Sequence, residues 1–207
     1  MTARTMQAHP VGEHEAEQAI AHGASGMPTA LVGMLLFIAS EVMFFGGLFA
    51  TYFNARATSP GVWGPPAGAH ELDLPLAAVL TAILVASSFT MQFGVWAIRR
   101  GDTGKLKLWT GITLALGVLF LIGQMYDYSQ LGFGIADGVF GTVFYTLTGF
   151  HGVHVTIGIL MLLSLYTMSM RGNLPTERSE TVEIVGLYWH FVDVVWIVIF
   201  TIVYLIP

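Results

Sequence analysis

The sequence predicts an all-α integral membrane bundle of five transmembrane helices. Three observations lead there. Of the 207 residues, 55% are hydrophobic and only 10% charged, whereas a soluble domain is nearer a quarter charged. Mean hydropathy is +0.70, so the charges cannot cover a water-soluble globule, while a bilayer requires an apolar exterior. Five separate stretches reach the roughly 20 mostly apolar residues that a helix needs to cross hydrocarbon.

In chain order these stretches run from about Pro28 to Phe53, Pro75 to Ile98, Leu108 to Tyr126, Val139 to Met170 and Ile184 to Ile206. Pro28 and Pro75 stand at helix starts, where a missing N–H costs nothing. The fourth stretch is long enough to tilt or protrude. The connections are short and punctuated: Thr58–Ala69 is rich in Pro and Gly, Arg99–Lys107 is basic, and Asp127–Gly138 carries Gly132, Gly134 and Gly138. Residues 1–27 read as a polar, unstructured tail and 28–207 as one transmembrane domain without internal repeats. The tail carries Glu13, Glu15 and Glu17 with His9, His14 and His22. It lacks a basic start followed by an apolar core, so it does not read as a signal peptide.

Orientation follows from the basic residues. With five spans, the N-terminus, the second loop and the fourth loop share a side. That side holds Arg4, Arg99, Arg100, Lys105, Lys107, Arg171 and Arg178, and the other holds only Arg56. The N-terminus is therefore expected in the cytoplasm and the C-terminus outside. Arg56, Arg99 and Arg171, at helix ends, are the expected lipid headgroup contacts. There is no cysteine, which excludes a disulfide framework, a thiolate metal site and covalent c-type haem. The net charge of -5 and the lack of a basic stripe argue against nucleic acid.

Polar residues inside the spans carry the functional signal, because an ionisable group at mid-bilayer costs several kcal/mol unless paired or neutral. Glu41 lies mid-helix with no cation one turn away on its own helix. It must face another helix, as a proton relay or as a protonated carboxyl that glues helices together. His151 and His154 share a face of the fourth helix, and His190 and Asp193 a face of the fifth, each pair at i, i+3. Glu183 stands one heptad before His190. Three imidazoles with carboxylates could hold a metal in a bundle, but the spacing matches neither the Glu-x-x-His pairs of carboxylate-bridged iron proteins nor a His-Glu-x-x-His helix. A buried interhelical polar network of Glu41, His151, His154, Glu183, His190 and Asp193 is the expected arrangement, with no catalytic, cofactor or metal residues. Gly46, Gly47, Gly149, Gly152 and Gly158 are expected to permit close helix approach.

Three segments resemble a known family. They are Ser40-Glu41-Val42-Met43-Phe44-Phe45-Gly46-Gly47, Thr148-Gly149-Phe150-His151-Gly152-Val153-His154-Val155, and Tyr188-Trp189-His190-Phe191-Val192-Asp193-Val194-Val195-Trp196. They are similar, in order, to the signatures of subunit III of the haem–copper oxidases, and the resemblance covers roughly residues 28 to 207. Many members carry an additional helix pair before the glutamate helix; this chain is similar to the shorter bacterial type. The resemblance implies a non-catalytic subunit of a proton-pumping terminal oxidase, which reduces oxygen to water with electrons from cytochrome c. Its role would be to stabilise subunit I and bound phospholipid and to support proton uptake. Haem and copper would reside in partner subunits, and none in this chain. Implied partners are oxidase subunits I and II, membrane lipid and a cytochrome bc complex in a supercomplex; the implied location is the bacterial plasma membrane.

Three other readings compete. A quinol oxidase subunit III differs in the electron donor, which docks elsewhere. An autonomous proton or ion transporter requires broken helices at mid-membrane, and no proline interrupts a span interior. A membrane metalloenzyme requires stoichiometric metal in the isolated chain.

Overall fold

A computed structural model describes residues 28–59, 61, 63–66, 68–69, 72–172 and 179–206. The N-terminal tail with its three histidines, and Arg178 in the fourth loop, lie outside the described residues. Five helices are long and apolar enough to span a membrane: α1 Thr29–Thr58, α2 Leu74–Arg99, α3 Thr103–Gln130, α4 Gly138–Met170 and α5 Ser179–Phe200. The last continues as a π-helical turn over Thr201–Leu205. No strand occurs among the described residues.

Each helix extends past its apolar stretch at one end or both. The third is the clearest correction, beginning at Thr103 and ending at Gln130 where hydropathy alone marks Leu108 to Tyr126. Its start is set by Asp102, whose Oδ1 accepts from the Lys105 backbone N–H at 2.9 Å. That bond satisfies one of the free donors of the first turn. Asp73 caps α2 in the same way, accepting from the Leu76 N–H at 2.9 Å. Between α2 and α3 the chain reverses over very few residues. Gly101 makes this possible with φ +73, a left-handed conformation that other residues adopt only at a cost.

The bundle is organised around α5, which packs against α1, α2 and α4; α2 also packs against α3, and α3 against α4. Trp189 shows how closely the elements fit. Its indole lies between Gly117 of α3 and Gly158 of α4, where an added Cβ would come within 2.6 Å and 2.8 Å of the ring. Its Nε1 donates to Ser87 Oγ of α2 at 2.9 Å. One tryptophan thus fixes three helices against the fourth. Outward faces carry large apolar side chains such as Leu36, Met43, Phe89 and Ile122, each more than half exposed, as a lipid-facing surface requires.

Glycine roles differ from expectation. Of the five expected close approaches only Gly158 is one; Gly46, Gly47, Gly149 and Gly152 have open space where a Cβ would sit. The tight positions are instead Gly111, Gly117, Gly123, Gly141 and Gly186. A glycine permits close approach only if its helix face meets a neighbour, and the first four do not.

Candidate functional site

The polar side chains singled out in the spans lie in distinct clusters, each bridging helices. Glu41 of α1 meets His154 of α4: Oε2 and Nε2 are 3.0 Å apart. The other ring nitrogen, Nδ1, lies 2.7 Å from the Phe150 carbonyl oxygen. A carbonyl can only accept, so Nδ1 carries a hydrogen. One proton then lies between Nε2 and Oε2. It belongs either to a neutral glutamic acid donating to a neutral imidazole or to an imidazolium donating to a carboxylate. The pair has no net charge in either form, which is what hydrocarbon admits. Phe44 and Phe45 flank the imidazole with ring centroids at 6.2 and 5.0 Å. Tyr188 of α5 donates to the His154 carbonyl at 3.1 Å.

His190 and Asp193 of α5 meet through a residue the sequence did not single out. Ser88 of α2 places its hydroxyl 2.9 Å from His190 Nδ1 and hydrogen-bonds Asp193 Oδ2. Asp193 is 3% exposed. The shared serine, and no direct His190–Asp193 bond, joins the i, i+3 pair.

Glu183 stands at the end of the bundle, where Arg99 Nε donates to its Oε1 at 2.8 Å. This pair is partly exposed, so its contribution is modest. His151 is buried without a hydrogen bond to either ring nitrogen. It stacks on Trp196, with centroids 5.0 Å apart, and meets the edge of Phe120 at 6.0 Å. Among the expected headgroup contacts, Arg99 thus has a protein partner, and Arg56 donates to the Ile206 carbonyl at 2.7 Å. Arg171 is exposed just beyond α4.

A further buried acid is Asp127. The glycine-rich stretch that follows it reads as a loop beginning there, but α3 continues through it and Asp127 is only 2% exposed. Tyr204 donates to its Oδ2 at 3.3 Å. The missed signal is spacing: Thr113, Gly117, Phe120, Gln124 and Asp127 follow one helix face. Nearby, Tyr128 of α3 donates to Thr148 Oγ1 of α4 at 2.6 Å. Thr81 of α2, another unflagged residue, accepts from Trp196 Nε1 at 2.9 Å.

Chemically the arrangement can pin helices and hold protons. No cluster of three or more His, Asp or Glu side chains that could hold a metal occurs among the described residues.

A family model described as cytochrome c oxidase subunit III matches residues 11–206. A Synechocystis cytochrome c oxidase subunit 3 is 47% identical over 191 residues, covering 90% of this chain and 80% of the relative. A probable cytochrome c oxidase subunit 3 of Mycobacterium tuberculosis is 44% identical over 178 residues, with 84% and 87% covered. The cytochrome c oxidase subunit 3 of Thermostichus vulcanus is 41% identical over 189 residues, with 91% and 92% covered.

Proposed function

The chain belongs to the cytochrome c oxidase subunit III family, and from that premise we propose that it is the non-catalytic third subunit of a proton-pumping haem–copper oxidase. Its five apolar spans and bacterial relatives make it a multi-pass protein of the bacterial plasma membrane. The observation that carries the reading is the length of the match: it runs through all five helices.

The non-catalytic part of the proposal is supported by how the polar side chains are used. Glu41 is held by His154, Asp193 by Ser88 and Glu183 by Arg99. Such pairs suit a rigid bundle that flanks a catalytic subunit. The donor is proposed to be cytochrome c and not a quinol, because the relatives are cytochrome c oxidase subunits by name. Subunits I and II are the proposed neighbours, a cytochrome bc complex a proposed supercomplex partner, and haem and copper lie in those partners.

Orientation is proposed from charge. The α2–α3 turn and the end of α4 lie on one side of the bundle and carry Arg99, Arg100, Lys105, Lys107 and Arg171, whereas Arg56 is at the other. The first side is assigned to the cytoplasm. Bound phospholipid is supported by an apolar groove of about 730 Å³ between α3 and α4, lined by Leu108, Ile112, Val118 and Tyr166 with Lys107 at its rim. An acyl chain suits its walls and an anionic headgroup its lysine.

The test is an oxidase purified from a strain lacking this chain. It should keep its haem spectrum and oxidise its donor, but lose activity faster during turnover. Loss of the haem spectrum, or an enzyme as durable as the complete one, would overturn the proposal.

A further inference from the structure

Polar side chains recur along the seam between α2 and α5: Ser88, Gln92 and Arg99 on the first, Glu183, His190 and Asp193 on the second. Steps of one or two helical turns keep each set on one face. A crevice of about 210 Å³ opens along this seam, with Arg99, Glu183, Gln92 and His190 in its wall. The Arg99–Glu183 ion pair stands at its mouth, where both side chains are partly exposed. The titratable groups around it are Arg99 from α2 and Glu183 and His190 from α5; α1 contributes the apolar Leu31.

Inward from the crevice, His190 Nδ1, Ser88 and Asp193 are hydrogen-bonded in series. Asp193 Oδ1 is buried without a partner. A serine hydroxyl has one hydrogen, so it donates to only one of its two neighbours. Two arrangements satisfy all three groups. In one, His190 Nδ1–H donates to Ser88, which donates to the Asp193 carboxylate. In the other, the Asp193 carboxyl O–H donates to Ser88, which donates to His190 Nδ1. They differ by one proton step along each link.

The geometry points to the α2–α5 crevice and its His190–Ser88–Asp193 series as a water-fed proton-exchange site, with Asp193 as the store. In loading, hydronium in the crevice gives a proton to His190 Nε2 and becomes water. The Nδ1 hydrogen of the resulting imidazolium passes to Ser88 Oγ as the Ser88 hydrogen passes to Asp193 Oδ2. Neutral His190, with its hydrogen on Nε2, and neutral Asp193 remain, and unloading is the reverse. One turn beyond Asp193, Trp196 occupies the seam and is tied to Thr81. The series therefore ends at Asp193: it buffers protons at one membrane face and does not carry them across. The inference rests on this chain's own side chains and not on the oxidase reading.

The test is infrared spectroscopy of the full-length chain, purified with its native partners and labelled with 13C-aspartate. The protonated-carboxyl band that disappears in Asp193→Asn is followed on transfer from H2O to D2O. It should shift as fast as buffer exchanges in the unaltered protein. The shift should be lost over the same interval in Ser88→Val, which breaks the series. It should also be lost in Gln92→Phe, which fills the crevice at a half-buried position and leaves the series intact. A band absent or static in the unaltered protein, or one shifting equally fast in both variants, would overturn the proposal.

Discussion

Helices α1 and α5 are similarly apolar, yet they occupy opposite roles. In α5 eleven residues are buried, including Trp189, Asp193 and Trp196. In α1, which is longer, only Phe45 and Tyr52 are. An apolar helix gains nothing from leaving lipid for protein by hydrophobicity alone, because lipid tails are as apolar as its own side chains. Position is decided by shape and by polar partners. Helix α5 has both, in a tryptophan seated between two glycines and a carboxylate sharing a serine with a histidine. Helix α1 has little interlocking shape, and is held by the Glu41–His154 bond, by Tyr52, whose hydroxyl donates to the Ile202 carbonyl at 3.3 Å, and by Arg56 at the last turn.

The largest expected effect is therefore in α5. Trp189→Ala should lower unfolding stability by about 3–5 kcal/mol, from the cavity and the lost bond to Ser87. A loss near zero in a reversible denaturation of the purified protein would show that α5 is not the centre of packing. Next, Asp193→Leu should cost about 1–3 kcal/mol, because Ser88 loses a buried partner; an unchanged melting temperature would reject that. In α1, Glu41→Leu should cost about 1–2 kcal/mol. Its signature is local: α1 should detach first, read as faster proteolysis in the α1–α2 connection while α2–α5 stay resistant. Glu41→Gln should leave an assembled complex with substantial turnover, and complete loss of activity in an assembled enzyme would refute the structural reading of that bond. The smallest effect belongs to the outer face of α1. Leu36→Ala should change stability by less than about 0.5 kcal/mol, and a larger loss in the isolated chain would reveal packing on that face.

The same contrast explains what could be read in the sequence. Span number and approximate limits are legible, because crossing hydrocarbon demands a length and an apolarity that composition reveals. Glu41, His154, His190 and Asp193 stand out because ionisable groups are rare there. Their pairing is not legible: Glu41 and His154 are far apart in the chain, and their meeting depends on how α1 and α4 are rotated about their axes. Ser88 escapes notice because a serine in a span is ordinary, and only its position between an imidazole and a carboxylate gives it a role. Asp127 is misplaced into a loop because the glycines after it outweigh the helical spacing before it. Glycines at 46, 47, 149 and 152 look like contact points but face no neighbour, since sequence does not say which side of a helix is covered.

The central proposal, that this bundle works as a subunit of a haem–copper oxidase, is tested most directly by one measurement. The chain is affinity-purified from its native membrane in mild detergent, and the eluate is examined by visible absorption and mass identification. The account predicts haem bands together with a large haem-bearing membrane subunit and a copper-bearing subunit. A colourless eluate containing this chain alone would contradict it.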